Sequence, residues 1–182
     1  MRQRVNLSRV LPLSSLICLA ATAVAFAASG AGTGLPEVIH GTSSADTIFG
    51  GGGDDRIVAA EGDDTVYGDG LCPPGGSDVS YCSTGEGAGD GSDDIHGGPG
   101  DDTLYGQGGD DQIHGGAGND TIVAGSGADF VWGGDGNDVI DVRDGEPDTV
   151  SCGGGFDRVL ADRLDRVAPD CESVSRASVP AP

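Results

Sequence analysis

The sequence predicts an all-β solenoid, a chain of very short strands stacked rung upon rung. Three observations predict it: a nine-residue period through most of the chain, a β-favouring stretch confined to the last three residues of each period, and a shortage of large apolar side chains. Glycine supplies 35 of 182 residues and aromatic residues only 4%. A fixed period of this kind marks repeat architectures, in which each unit buries its apolar face only against its neighbours.

The first element is not part of that pattern. Arg2, Arg4 and Arg9 flank or precede an apolar run over residues 10–28 that ends in small residues, with Ala25-Phe26-Ala27 as an A-x-A cleavage site. Residues 1–27 therefore read as a secretory signal peptide, and the mature protein as secreted and extracellular. The run is nearly long enough to be a retained membrane anchor, but Pro12 and the alanine-rich end favour cleavage, so no stable membrane insertion is expected afterwards. Cys18 goes with the leader. Removing the leader takes away three arginines and no acid, making a formal charge of −21 still more negative. Such a surface repels nucleic acid and anionic lipid and attracts cations.

Residues 28–40 are a linker and a degenerate repeat, with Glu37 at position 6 and Ile39 at position 8. From Gly41 the nines read GTSSADTIF, GGGGDDRIV and AAEGDDTVY, then, from residue 88, AGDGSDDIH, GGPGDDTLY, GQGGDDQIH, GGAGNDTIV, AGSGADFVW and GGDGNDVID. Position 6 is always aspartate: Asp46, Asp55, Asp64, Asp93, Asp102, Asp111, Asp120, Asp129 and Asp138. Position 8 is always Ile, Val or Leu. Positions 1 and 4 are mostly glycine, at Gly50, Gly53, Gly62, Gly91, Gly97, Gly100, Gly106, Gly109, Gly115, Gly118, Gly127, Gly133 and Gly136.

Strands of three residues find their partners only in adjacent coils, and alternation turns position 8 inward with 7 and 9 outward. The resulting core is one residue thick. It buries too little apolar area to offset the ordering of glycine-rich turns, so something else must hold them. Glycines at positions 1, 2 and 4 permit positive φ and close approach of carbonyls, and position 6 adds a carboxylate. Calcium takes six to eight oxygens in flexible geometry, which suits carbonyls and carboxylates from two stacked turns; magnesium demands a tighter octahedron. Glycine-rich disorder does not require an aliphatic residue at every ninth place, and a carboxylate column without a counterion would repel itself.

The pattern G-G-x-G-x-D-x-U-x resembles the calcium-binding nonapeptide of RTX (repeats-in-toxin) proteins over residues 41–67 and 88–141. That resemblance implies a parallel β-roll, each nonapeptide giving a six-residue turn and a strand of about three residues, with two nonapeptides per coil. Position-6 aspartates two repeats apart then form seven pairs: Asp46 with Asp64, Asp55 with Asp93, Asp64 with Asp102, Asp93 with Asp111, Asp102 with Asp120, Asp111 with Asp129 and Asp120 with Asp138. Up to about seven enclosed Ca2+ sites follow. The first is weakened by Ser44 in place of glycine. Asp54, Asp63, Asp101 and Asp110 at position 5 face outward. RTX proteins typically leave the cell through a dedicated channel with a C-terminal signal; the N-terminal leader here implies general export instead.

Residues 68–87 interrupt the roll with an insertion containing Cys72 and Cys82. Four cysteines remain after leader removal, and nearest-neighbour pairing, Cys72–Cys82 and Cys152–Cys171, is the simplest of three connectivities. Residues 142–172 are degenerate repeats and a C-terminal cap: the period slips by one residue, Asp148-Thr149-Val150 and Asp157-Arg158-Val159 follow nine apart, and Arg158, Arg163 and Arg166 can stand in for cations at the last carboxylates. Cys152 and Cys171 lie about one coil apart, so their disulfide pins the cap. Residues 173–182 read as a flexible tail. The framed ending GGGFDRVLAD…APDCE resembles small secreted proteins of actinobacteria.

His96 and His114, 18 residues apart at position 9, share one face in adjacent coils, as exposed histidines or as a transition-metal pair. Val58 and Trp132 join them; Phe49, Tyr67, Tyr105 and Val123 line the other face, an apolar stripe suited to self-association or to covering the sheet. No G-x-S-x-G or H-E-x-x-H motif is present, which argues against an enzyme. The leading expectation is a secreted calcium-binding roll that folds on extracellular Ca2+ as a structural or surface-interaction module. An accessory or catalytic hydrolase-type exoprotein and an ice- or crystal-binding protein are the alternatives.

Overall fold

A computed structural model describes residues 24–26, 29–32, 34–69 and 91–176, and every regular element among them is a β-strand. The strands alternate between two parallel sheets. One sheet holds β1 (Val24–Phe26), β3 (Val38–His40), β5 (Arg56–Val58), β7 (Asp94–Pro99), β9 (Gln112–Ala117), β11 (Phe130–Asp135), β13 (Thr149–Gly154) and β15 (Arg166–Val167), in that order. The other holds β2 (Ser29–Ala31), β4 (Thr47–Gly51), β6 (Thr65–Asp69), β8 (Thr103–Gly108), β10 (Thr121–Ser126), β12 (Val139–Asp141), β14 (Arg158–Ala161) and β16 (Ser173–Arg176). Each coil therefore contributes one strand to each sheet. This is the all-β parallel β-roll expected from the repeat, with two nonapeptides per coil.

Register follows the period. Ile57 pairs with Ile95, Ile95 with Ile113, Ile113 with Val131 and Val131 with Val150; opposite them Ile48, Val66, Leu104, Ile122, Ile140 and Val159 form the second row. All of these side chains are fully buried, and with Ile39 they make the single-file core. The strand is longer than the three residues expected. From β7 to β11 it runs six residues, through positions 7–9 and on through positions 1–3 of the next repeat, because Gly98 and Gly116, or Gln107 and Gly125, still pair as the chain bends.

The insertion enters the roll inside a turn. Gly68 and Asp69, expected in the excursion, remain in β6, with Asp69 paired to Gly51, and the Gly91 N–H donates to the Asp69 carboxylate. Gly68 and Asp69 thus fill positions 1 and 2 of the repeat that ends in His96, and the excursion replaces position 3. The bulk of it, with Cys72 and Cys82, lies outside the described residues. Downstream the slip is absorbed without loss of stacking: Val131 still meets Val150, 19 residues on.

Both ends differ from expectation. Residues 24–26, inside the leader, form β1 against β3, and residues 29–31 form β2 against β4. Residues 173–176, expected in the tail, form β16 against β14; residues 177–182 lie outside the described residues. The Cys152–Cys171 disulfide is present, with Cα atoms 5.2 Å apart, and ties β13 to the segment between β15 and β16. Arg158, Arg163, Arg166 and Arg176 are all exposed, and it is the guanidinium of Arg176 that donates to the chain end, to the carbonyls of Asp162 and Asp165.

Candidate metal centre

Position 6 precedes each strand at the inner corner of the turn, and there the aspartates of successive coils line up. All nine predicted residues are buried, none more than 3% exposed. Each aspartate from Asp46 to Asp120 is hydrogen-bonded to the position-6 aspartate two repeats on. The N–H of Asp46 donates to Asp64 Oδ1, Asp55 to Asp93, Asp64 to Asp102, Asp93 to Asp111, Asp102 to Asp120, Asp111 to Asp129 and Asp120 to Asp138, all at 2.8–2.9 Å. The insertion does not break the column between Asp55 and Asp93. The column also extends past the sequence assignment: Glu37 N–H donates to Asp55, Asp129 to Asp148, Asp138 to Asp157 and Asp157 to Glu172.

One oxygen of each carboxylate is thereby used, and the other is not. Oδ2 of Asp55, Asp64, Asp93, Asp102, Asp111, Asp120, Asp129, Asp138, Asp148 and Asp157 is buried and has no hydrogen-bond partner among the described residues. An unmatched buried carboxylate oxygen costs several kcal/mol of lost hydration unless a donor or cation meets it, roughly 1–3 for a neutral group and more for a charge. Ten such atoms in two rows are a pattern of the fold.

Glycine at position 1 makes the space beside six of the ten orphans. A Cβ on Gly133 would lie 2.5 Å from Asp138 Oδ2 and 2.6 Å from the Cys152 carbonyl oxygen in the next coil. Gly50, Gly68, Gly97, Gly106 and Gly115 border the same kind of gap, between the Oδ2 of their own repeat and a position-1 carbonyl one coil on. A carboxylate oxygen without a hydrogen-bond partner facing a carbonyl oxygen across one gap is a cation's coordination shell in outline. Ala59 and Ala124 take position 1 elsewhere, and both are fully buried. Toward the C-terminus position 1 carries larger side chains: the register puts Val142 level with Ala124 and Cys152 level with Gly133, and both of those side chains are buried.

The predicted glycines divide by job. Positions 2 and 4 have positive φ from Gly51 to Gly62 and from Gly98 to Gly136, as at Gly98 (116°) and Gly100 (148°). Position 1 does not use the positive φ that glycine permits; there the missing side chain matters, not the dihedral. Gly53, Gly62, Gly91, Gly100, Gly109, Gly118, Gly127 and Gly136 at position 4 pack their Cα directly on backbone of another coil. The first repeat differs, because Thr42 N–H and hydroxyl both donate to Asp46 Oδ2, occupying an oxygen that is free elsewhere.

Position 5 forms a second, exposed ladder. Asp63 accepts from the Asp101 N–H, Asp101 from Asn119, Asn119 from Asn137 and Asp110 from Ala128, so these outward side chains also stitch coils together.

Burial makes the inner column reluctant to ionise. Loss of solvent is the largest cause, the backbone N–H of the preceding coil pulls the other way, and neighbouring carboxylates add to the rise. Asp111 is pushed up to about 9, Asp55, Asp120 and Asp148 to about 7, and Asp93, Asp102 and Asp129 to about 6. Without a cation, these groups resist sharing the column as anions at neutral pH.

Among known proteins, the family model of the RTX calcium-binding nonapeptide repeat (4 copies) matches residues 32–70, 87–122 and 114–146, more than half of the chain. No curated protein matches. Repeats of this type bind Ca2+ in general, and the matched residues hold most of the orphaned carboxylates and the glycine gaps beside them. The chain is a member of the RTX calcium-binding nonapeptide-repeat family.

Proposed function

We propose that this protein is a secreted structural module that folds around Ca2+ outside the cell. Calcium would be held by Oδ2 of the position-6 aspartates and by position-1 carbonyls, with up to about seven ions between Asp46 and Asp138. The observation that carries this reading is the double row of buried, unpartnered Oδ2 atoms beside glycine gaps. Flexible, carbonyl-rich sites of this type favour calcium over magnesium, and affinities of about 10⁻⁴–10⁻³ M match extracellular modules.

The leader supports export. Cleavage after Ala27 removes β1 and leaves β3 as the first strand of its sheet, with Glu37 as the first rung of the acidic column. Among the described residues no helix is long and apolar enough to cross a membrane. A stacked array of this kind offers its outward faces to a surface or a second molecule and has no need of catalysis.

The test is a calcium titration of the leader-free protein followed by circular dichroism and light scattering. β-structure should appear cooperatively in the submillimolar to millimolar range and vanish with excess chelator. Equal β-content with chelator and with calcium would overturn the reading.

A further inference from the structure

We propose that Asp94, His96 and His114 form a site for one borderline transition-metal ion, Cu2+ or Zn2+, on the outer face of the odd-numbered sheet, separate from the aspartate rows. The three side chains come from positions 7 and 9 of β7 and position 9 of β9, which strand alternation turns outward and the register sets side by side, His96 paired with His114. One ligating atom from each residue lies within 4.8 Å of the others, and all three residues are half-buried. Asp94 Oδ1 is 2.7 Å from His96 Nε2, a contact that an ion held between the two would replace, while Arg56 sits 3.5 Å from the other oxygen, Asp94 Oδ2.

Metal–ligand bonds of about 2.0–2.2 Å place neighbouring ligand atoms roughly 3 Å apart, and an imidazole nitrogen binds in the plane of its ring, so His114, whose ring lies parallel to that of His96 at 4.6 Å, must turn out of that stack about its side-chain torsions to meet a shared ion. Two imidazoles with one carboxylate select a borderline ion over Ca2+ or Mg2+, which prefer oxygen alone. The column is specific: Val58 lies one rung before His96, separating it from His40, and Trp132 lies one rung after His114. His114 stacks on Trp132 at 4.2 Å, and that tryptophan is the only one in the chain.

Trp132 therefore reports on the site. With the roll held folded in saturating Ca2+, so that the aspartate rows are occupied, CuCl2 should quench tryptophan fluorescence with a stoichiometry of one ion per chain, and ZnCl2 should compete. His96→Ala and His114→Ala should each weaken binding on the order of tenfold or more, and Asp94→Asn less. His40→Ala should leave the curve unchanged. Circular dichroism in Ca2+ checks that each variant is folded. Electron paramagnetic resonance of the copper-loaded wild type should show two nitrogen ligands, a readout that needs no variant. Quenching that is identical in the histidine variants, no quenching up to millimolar copper, or a spectrum of oxygen ligands alone would overturn the proposal. Because calcium is saturating throughout, a failure here says nothing against the calcium-bound roll, and failure to fold in Ca2+ would be seen separately.

Discussion

Asp120 and Asp110 differ by one turn position and by burial, and their substitutions separate the two acidic ladders. In Asp120→Asn the oxygen that accepts from Asp102 is kept while the charge beside the Gly115 gap is lost. The calcium midpoint should rise on the order of tenfold, since affinity follows the charge of the ligand set. Asp110→Asn, on the exposed ladder, should leave it nearly unchanged. Glycines split in the same way. Gly100→Ala forces a Cβ at φ +148° onto the Gly62 carbonyl and should lower stability by about 3 kcal/mol in calcium, as read by denaturant melts. Gly34→Ala meets nothing within 4 Å and should stay within about 0.5 kcal/mol. The aspartates were legible in the sequence because position 6 never varies. The division of labour between position 1 and positions 2 and 4 was not, since glycine is written the same whether its dihedral or its missing side chain is being used.

The strands and their order follow from the period, because position 8 marks every rung and any shift would turn its aliphatic residue outward. The insertion register was not readable: Ala88 and Gly89 imitate positions 1 and 2 in sequence, while Gly68 and Asp69 hold those places in space. The cap was half readable. Cysteine spacing pointed to the bond that ties β13 to the chain end, but the charge-bearing cap is Arg176, which falls beyond the last recognisable repeat. Replacing Cys152 and Cys171 by serine opens a loop of 19 residues and should reduce stability by about 3 kcal/mol. The loss belongs to the last coils. Hydrogen exchange should show β13 to β16 fraying while β7 to β10 stay protected, and uniform deprotection would contradict the assignment.

The whole roll should respond to pH in opposite senses with and without calcium. Seven of its inner carboxyls, those of Asp55, Asp93, Asp102, Asp111, Asp120, Asp129 and Asp148, have native pKa values raised above the ordinary 3.8, by burial first, to between about 6 and about 9. From about pH 4 up to those native values the folded chain holds more protons than the unfolded one, so their contribution to metal-free stability is fully present below about pH 4 and is lost as pH rises through the native values. Chelated protein should therefore show more β-structure at pH 4.5 than at pH 8 by circular dichroism. With calcium the order reverses, because the ion competes with those protons, and the calcium midpoint should rise as pH falls from 7.5 to 5.5. Stacked repeats joined by such ions fold as a nearest-neighbour array, with cooperativity carried from coil to coil.

Anomalous diffraction from crystals grown in calcium tests most directly whether ions join the coils. The account predicts discrete calcium peaks in the gaps beside Gly97, Gly106 and Gly115, within bonding reach of the Oδ2 atoms of Asp102, Asp111 and Asp120. Fully ordered turns with no density in those gaps would contradict it.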